Sequence, residues 1–166
     1  TFVEENKKID LLIHMNEGAV YTVGDINWEG NQEYDDLAIA SHILLSRGET
    51  FREIDYQETL RELHSMYWDN GFIYITVDPE RQIRGQVVDL TLRFREGEPA
   101  RIRDIRVADN LKTYDEVILR EMLIYPGDVF SNRMIELSQG NIFRLGYFNN
   151  VIPEFKPADR EGDVDL

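Results

Sequence analysis

Val88-Asp89-Leu90-Thr91-Leu92-Arg93-Phe94-Arg95-Glu96-Gly97 is the stretch that decides the fold. Four apolar side chains alternate with Asp, Thr and Arg, and then a Glu-Gly pair breaks the pattern. Successive side chains of a strand point to opposite faces, so this period of two predicts a half-buried strand closed by a turn. The same spelling occurs upstream. Ile9-Asp10-Leu11 matches Val88-Asp89-Leu90, the alternation continues through Ile13 and Met15, and Glu17-Gly18 precedes Glu96-Gly97 by 79 positions. Val164-Asp165-Leu166 is a third occurrence. Searching outward for a repeat at this spacing finds Asn31 and Asn110, Ile26 and Ile105, and Trp28 and Val107. It also finds Gly48-Glu49-Thr50-Phe51 and Gly127-Asp128-Val129-Phe130, all 79 apart. Gly71-Phe72 and Gly146-Tyr147 are 75 apart, so the second copy has lost about four residues before this point.

One copy reads as strand, helix, helix, strand, strand. The strand before each Asn turns Val23, Ile26 and Trp28 inward in the first copy, and Ile102, Ile105 and Val107 in the second. The step of three across Gly24 predicts a bulge. A helix beginning near Asp35 is expected to carry Leu37, Ala40 and Leu44 inward and to end near Gly48; its counterpart carries Val117, Ile118 and Met122. Thr113-Tyr114-Asp115-Glu116 and Thr50-Phe51-Arg52-Glu53 have the spacing of capping boxes. Longer helices follow, with Tyr56, Leu60, Leu63 and Tyr67 on one face and Ile135, Ser138, Ile142 and Leu145 on the other copy's face. Gly71 and Gly146 stop them, and strands over 72–77 and 147–155 should pair antiparallel with the strand that follows. The expected class is α+β: two modules, each with a three-stranded mixed sheet covered on one face by two helices. The expected division is 1–18, a last strand of a preceding module or linker; 19–97, the first module; and 98–166, the second, stopping inside its last strand. A chain that starts and stops within strands reads as part of a longer array.

Composition narrows the function. Eighteen basic against 32 acidic residues give a net charge of −14. Such a chain repels phosphate backbones, which argues against nucleic acid as a partner. The absence of cysteine excludes disulfides, thiolate metal sites and cysteine nucleophiles. The apolar runs, such as Leu11-Leu12-Ile13, are too short to span a bilayer. His14, His42 and His64 fall on a strand and two different helices, with no spacing suited to zinc. Asp35-Asp36 suits a helix start, and no Gly-x-Ser-x-Gly or phosphate-cradling loop is present. No catalysis, cofactor or metal is expected.

The order of elements and their spelling resemble the POTRA (polypeptide-transport-associated) family. The residues that carry the resemblance are Glu29-Gly30-Asn31, Gly48-Glu49-Thr50-Phe51, Tyr67 with Asn70-Gly71-Phe72, and Glu96-Gly97. The second copy's Val117-Ile118-Leu119-Arg120-Glu121-Met122, Pro126-Gly127-Asp128-Val129-Phe130 and Arg144-Leu145-Gly146-Tyr147-Phe148 are similar to the barrel-proximal module of BamA-type outer-membrane assembly proteins. Asp109 departs from the pattern, standing where the family has Gly before the Asn.

The resemblance implies a periplasmic arm of an outer-membrane protein in a Gram-negative bacterium. Its partners would be unfolded outer-membrane proteins, accessory assembly lipoproteins, neighbouring POTRA modules and a C-terminal barrel. An exposed sheet edge can accept an extended peptide by strand addition. The candidate edges are Ile73, Tyr74, Ile75, Thr76 and Val77 in the first copy, and Asn149, Asn150, Val151 and Ile152 in the second, with Pro79 and Pro153 limiting each. Arg120 and Glu121 are candidate docking residues for a partner lipoprotein; Gly18, Glu96 and Gly97 are candidate hinges. The alternatives are a POTRA pair of a two-partner secretion or organelle import pore, and a passive spacer.

Overall fold

A computed structural model describes residues 4–5, 8–9, 11–15, 18–157 and 162–166. It contains β1 (Glu4–Glu5), β2 (Lys8–Ile9), β3 (Thr22–Glu29), α1 (Asp36–Ser41), α2 (Glu53–Trp68), β4 (Thr76–Arg84), β5 (Val87–Arg95), β6 (Arg101–Asp104), α3 (Asp115–Leu119), α4 (Asn132–Arg144), β7 (Lys156–Pro157) and β8 (Asp163–Asp165). The two copies share one topology. β5 lies centrally, parallel to β3 and antiparallel to β4; β8 lies between β6 and β7 in the same senses. The last strand of each copy is therefore the middle of its sheet, which is why its alternation is the clearest in the sequence. Val88, Leu90, Leu92 and Phe94 are buried, as is Val164.

The β4–β5 hairpin pairs without interruption from Thr76↔Arg95 to Arg84↔Val87 around Gly85-Gln86, with Gly85 at φ 64°. The expected bulge is present. Val23 and Ile26, three apart, oppose Val88 and Leu90, two apart. A Cβ at Gly24 would collide with the Asp89 carboxylate, and that carboxylate accepts the Asp25 N–H at 2.8 Å. α2 buries Tyr56, Leu63 and Tyr67 against the first sheet, and α4 buries Ile135, Ser138 and Ile142 against the second. Equivalent bonds recur 79 apart. The Leu44 N–H donates to Thr59 Oγ1 at 3.0 Å and the Leu123 N–H to Ser138 Oγ at 2.8 Å. Asn31 donates to the Tyr34 carbonyl and Asp36; Asn110 donates to the Thr113 carbonyl and Asp115. The repeated Asn thus ties down the strand-to-helix loop. Asp109 adopts φ 64°, the same left-handed region as Gly30 at φ 89°, so the departure from Gly preserves the turn. Asp pays only a modest penalty there compared with bulkier residues. α2 has 16 residues and α4 has 13; the lost residues come from about one turn at the helix end.

Several expectations fail locally. α1 ends at Ser41, not near Gly48, and it turns Ile39 inward while Leu37, Ala40 and Leu44 are exposed. Two apolar stripes compete on this segment, and the one bearing Ile39, Ile43 and Leu45 reaches the core. Neither capping box forms. Arg52 and Tyr114 occupy the N-cap positions without a side-chain bond, because the helices start at Glu53 and Asp115, which leaves Thr50 and Thr113 two residues and one residue ahead of the N-cap. The strand after Gly71 starts at Thr76, since Phe72–Ile75 first makes a turn closed by the Ile75 N–H on the Phe72 carbonyl at 3.2 Å. The segment 147–155 is irregular, and its strand is only Lys156–Pro157. Leu11, Ile13 and Met15 are exposed and belong to no strand, while β1 and β2 form a two-stranded ribbon before them. Asp10 and Glu17 of the same reading lie outside the described residues.

Candidate functional site

The first sheet has one long open edge. β3 is partly covered, because the Val23 N–H donates to the Glu49 carbonyl and the Gly48 N–H to the Val23 carbonyl, both at 2.8 Å. β4 pairs only with β5 among the described residues, leaving nine residues with a free side. Pro79 sits inside this strand opposite Leu92. Proline has no N–H, so its nitrogen faces away from the ladder. Alternation then directs the Val77, Arg81 and Ile83 N–H groups outward as well. Thr76 and Val77 of the expected edge lie on β4; Ile73, Tyr74 and Ile75 lie in the turn before it, with Ile75 buried. Asn149, Asn150, Val151 and Ile152 lie on the irregular segment, where Gln139 Nε2 donates to the Val151 carbonyl at 2.5 Å.

Arg81 lies within this edge. Its guanidinium lies 3.8 Å from the Tyr56 ring centroid and 5.5 Å from that of Phe51. It also donates to both Glu53 carboxylate oxygens at 2.8 and 2.9 Å. Hydrogen bonds from Arg81 and Gln57 hold the Glu53 carboxyl below its ordinary value. The sheet's outer face is a ladder of exposed ion pairs, Arg93 to Glu29 and Glu80 and Arg95 to Asp78, which solvate that face and add little stability.

A second surface emerges when the two helix layers are superposed at the repeat spacing. Asp55 becomes Met134, Glu58 becomes Leu137 and Ser46 becomes Tyr125. Met134 and Leu137, one turn apart on α4, are exposed. Leu123 is exposed beside them, its N–H bonded to Ser138 Oγ, which donates in turn to the Met134 carbonyl. Arg120 and Glu121 border this surface. They pair with each other at 3.5 Å, and Asn141 of α4 donates to the Glu121 carbonyl at 3.2 Å. The helix part of this face thus carries Asp55 and Glu58 in the first copy and Met134 and Leu137 in the second.

The junction between the copies is packed. Trp68 contacts both cores and meets Phe155 edge-on at 6.2 Å. The Ala100 N–H donates to the Gly71 carbonyl and the Arg133 N–H to Asp69 Oδ1, both at 2.8 Å. A Cβ at Gly71 would stand 2.6 Å from Val129 Cγ1, and the residue sits at φ 92°, so the approach requires glycine. Trp68 Nε1 is buried there without a partner among the described residues. Of the expected hinge residues, Gly97 and Gly18 share φ values of 73° and 70°. Glu96 accepts the Gln32 and Glu33 N–H groups at 2.8 and 3.1 Å and the Tyr67 hydroxyl at 2.7 Å. Burial and the Glu96 bond drive the Tyr67 phenol far above its ordinary value. Trp68, Asp69, Phe155, Met134 and Leu137 escaped the sequence reading, although aligning the copies residue by residue exposes the last two.

Among the described residues no group of three or more His, Asp or Glu could hold a metal, and no helix is long and apolar enough to cross a membrane.

Known proteins share this arrangement. The family profile for POTRA, the surface antigen variable number repeat, matches residues 21–97 and 100–166. The outer membrane protein assembly factor BamA of Nitratidesulfovibrio vulgaris is 29% identical over 158 residues, covering 92% of this chain and 20% of that protein. BamA of Neorickettsia risticii is 30% identical over 161 residues, covering 94% of this chain and 21% of that protein. The chain therefore spans about a fifth of the length of these curated relatives. The crystal structure of Haemophilus influenzae BamA POTRA3-5 superposes with a TM-score of 0.81 at 21% identity, covering 90% of this chain and 61% of that one.

Proposed function

The chain belongs to the POTRA family, and on that premise we propose that the pair is a polypeptide-binding and docking arm of a BamA-type outer-membrane assembly factor. It works in the periplasm, next to further POTRA modules and ahead of a C-terminal barrel. Its clients are unfolded outer-membrane proteins, and its second module carries the surface for an accessory lipoprotein.

The observation that carries the client reading is the open side of β4 over Thr76–Arg84. Strand addition there is read through backbone groups, which suits clients of many sequences. The docking reading rests on the apolar face of Leu123, Tyr125, Met134 and Leu137 beside Arg120 and Glu121, where the first module has Asp55 and Glu58 in place of Met134 and Leu137.

The test is an NMR titration with extended peptides taken from outer-membrane β-barrel strands. Saturable shifts along residues 76–84 are expected. They should be lost in Ile83→Pro, which removes an outward N–H, and kept in Ile83→Ala. No shifts at millimolar peptide, with the protein folded, would favour a passive spacer.

A further inference from the structure

We propose that the second module binds residues 12–17 of another copy of this chain, laid as a strand in the cavity along the line of β8. The site is separate from the open side of β4 and goes beyond the client and lipoprotein readings.

The first module shows which side chains such a cavity takes. β5 runs for nine residues, and its Leu92 and Phe94 are buried in one cluster with Ile39, Leu63 and Tyr67. β8 is paired over three residues. Along its line lies a cavity of about 630 Å3, walled by Val107, Ile118, Met122, Ile142, Phe148 and Leu166. That volume is in the range of ligand-binding pockets, about 300–1,000 Å3. Ile118 and Ile142 stand 79 positions after Ile39 and Leu63. The cavity is therefore the space that Leu92 and Phe94 fill in the first module.

The backbone beside the cavity is set for more of a parallel strand. The Leu166 N–H donates to the Asp104 carbonyl at 3.0 Å, and the Leu166 carbonyl accepts the Arg106 N–H at 2.8 Å. A parallel ladder repeats every two residues, so the next pair is the Arg106 carbonyl and the Ala108 N–H. Neither has a partner among the described residues. Further along the same line, Glu96 of the first module accepts the Gln32 and Glu33 N–H groups. Their counterparts, the Leu111 and Lys112 N–H groups, meet no acceptor among the described residues. The site thus takes an extended chain with apolar side chains at alternate positions, followed by a carboxylate.

This chain carries such a segment. Ile9-Asp10-Leu11 aligns with Val88-Asp89-Leu90 and with Val164-Asp165-Leu166. In that register Ile13 falls at the place of Leu92, Met15 at that of Phe94 and Glu17 at that of Glu96. Ile13 is 66% exposed and Met15 85%, and residues 11–15 belong to no strand. Segment and cavity match in period and polarity, and each is left open in the single chain. Ile13 of the incoming copy donates to the Arg106 carbonyl and accepts from the Ala108 N–H. Burial of Ile13 and Met15 drives the docking, and the period of two fixes its register. Each molecule offers one segment and one cavity, so copies join through unlike surfaces.

The test is sedimentation equilibrium of the 166-residue chain. Its average mass should rise with concentration up to about 1 mM. It should stay that of a monomer in the Ile13→Asp, Met15→Asp double variant, whose substitutions lie on exposed side chains outside the cores. A peptide of residues 9–18 added to that variant should shift the amides of residues 105–112 saturably. It should also slow exchange at Ala108 by about tenfold or more, as for a newly bonded amide. A chain lengthened after Leu166 by a second copy of Thr91–Gly97 fills the cavity itself, and should neither associate nor bind the peptide. A monomer at every concentration, association that survives in either variant, or no peptide shifts at residues 105–112 would overturn the proposal. Peptide shifts confined to residues 76–84 would overturn it too, and would assign the segment to the open side of β4.

Discussion

Single carboxylates hold the parts of each module that periodicity does not describe. Glu96 gathers two loop N–H groups and a phenol from residues up to 64 positions away. Asp89 binds the bulge N–H and Arg84, and Arg103 holds Asp165 in the second sheet. The backbone N–H of Asp25 first, and then Arg84, hold the Asp89 carboxyl below its ordinary 3.8; Arg103 does the same for Asp165, and Arg81 with Gln57 for Glu53 below 4.5. A depressed carboxyl stabilises the fold above its unfolded value, and the contribution is lost as pH falls through the lower folded value. Burial likewise depresses His64 below 6.5, so its neutral form is favoured in the fold and stability declines as pH falls past that value. Thermal unfolding followed by circular dichroism should show a shallow loss of Tm beginning near pH 6.5 and a steeper one below about pH 4.5. His64→Phe should remove the shallow phase alone. A Tm that stays level down to pH 4 in the unsubstituted chain would contradict this assignment. At the same scale, Asp109 shows that the residue type at a turn is negotiable while its φ is not.

At the scale of elements, strand alternation was legible wherever a strand has one face on the core, and least so in the helices' short partners. β5 follows its pattern throughout, since both neighbours fix its register. α1 did not, because a six-residue helix offers two apolar stripes, and only the sheet beneath selects Ile39. The two capping boxes failed because each helix starts later than the box spacing implies, so that Thr50 and Thr113 stand ahead of the N-cap. The exposed face of α4 carries a prediction of its own. Met134→Asp with Leu137→Glu restores the charged character of α2 at positions 55 and 58. Since both side chains are exposed, stability should change by less than about 1 kcal/mol. Binding to an accessory lipoprotein, read by pull-down, should fall by tenfold or more, a difference of about 1.4 kcal/mol. Charge reversal at Arg120 and at Glu121 should weaken it as well; retained binding in all of these variants would remove this face from the docking surface.

At the scale of the whole molecule, the two modules meet through α2's end rather than through the Glu96-Gly97 link alone. Gly71→Ala must push its new Cβ against Val129 in a left-handed backbone. It should separate the modules' unfolding into two transitions and cost about 1–3 kcal/mol at the junction, in the range of overpacked or strained sites. Differential scanning calorimetry distinguishes this from a single, merely lowered transition, which would mean that the modules are coupled elsewhere. The sequence by itself determined the repeat, the α+β class, the element order, the antiparallel closing hairpin and the bulge at Gly24. Each follows from side-chain period or from a residue with special backbone freedom, and both act over a few neighbours. Only the tertiary structure decided which apolar stripe of α1 faces inward, where β4 begins, that Glu96 latches a distant loop, and that Trp68 and Asp69 dock one module on the next. Those outcomes depend on contacts between residues far apart in the chain, where competing local options of similar energy are resolved by whatever surface arrives to cover them.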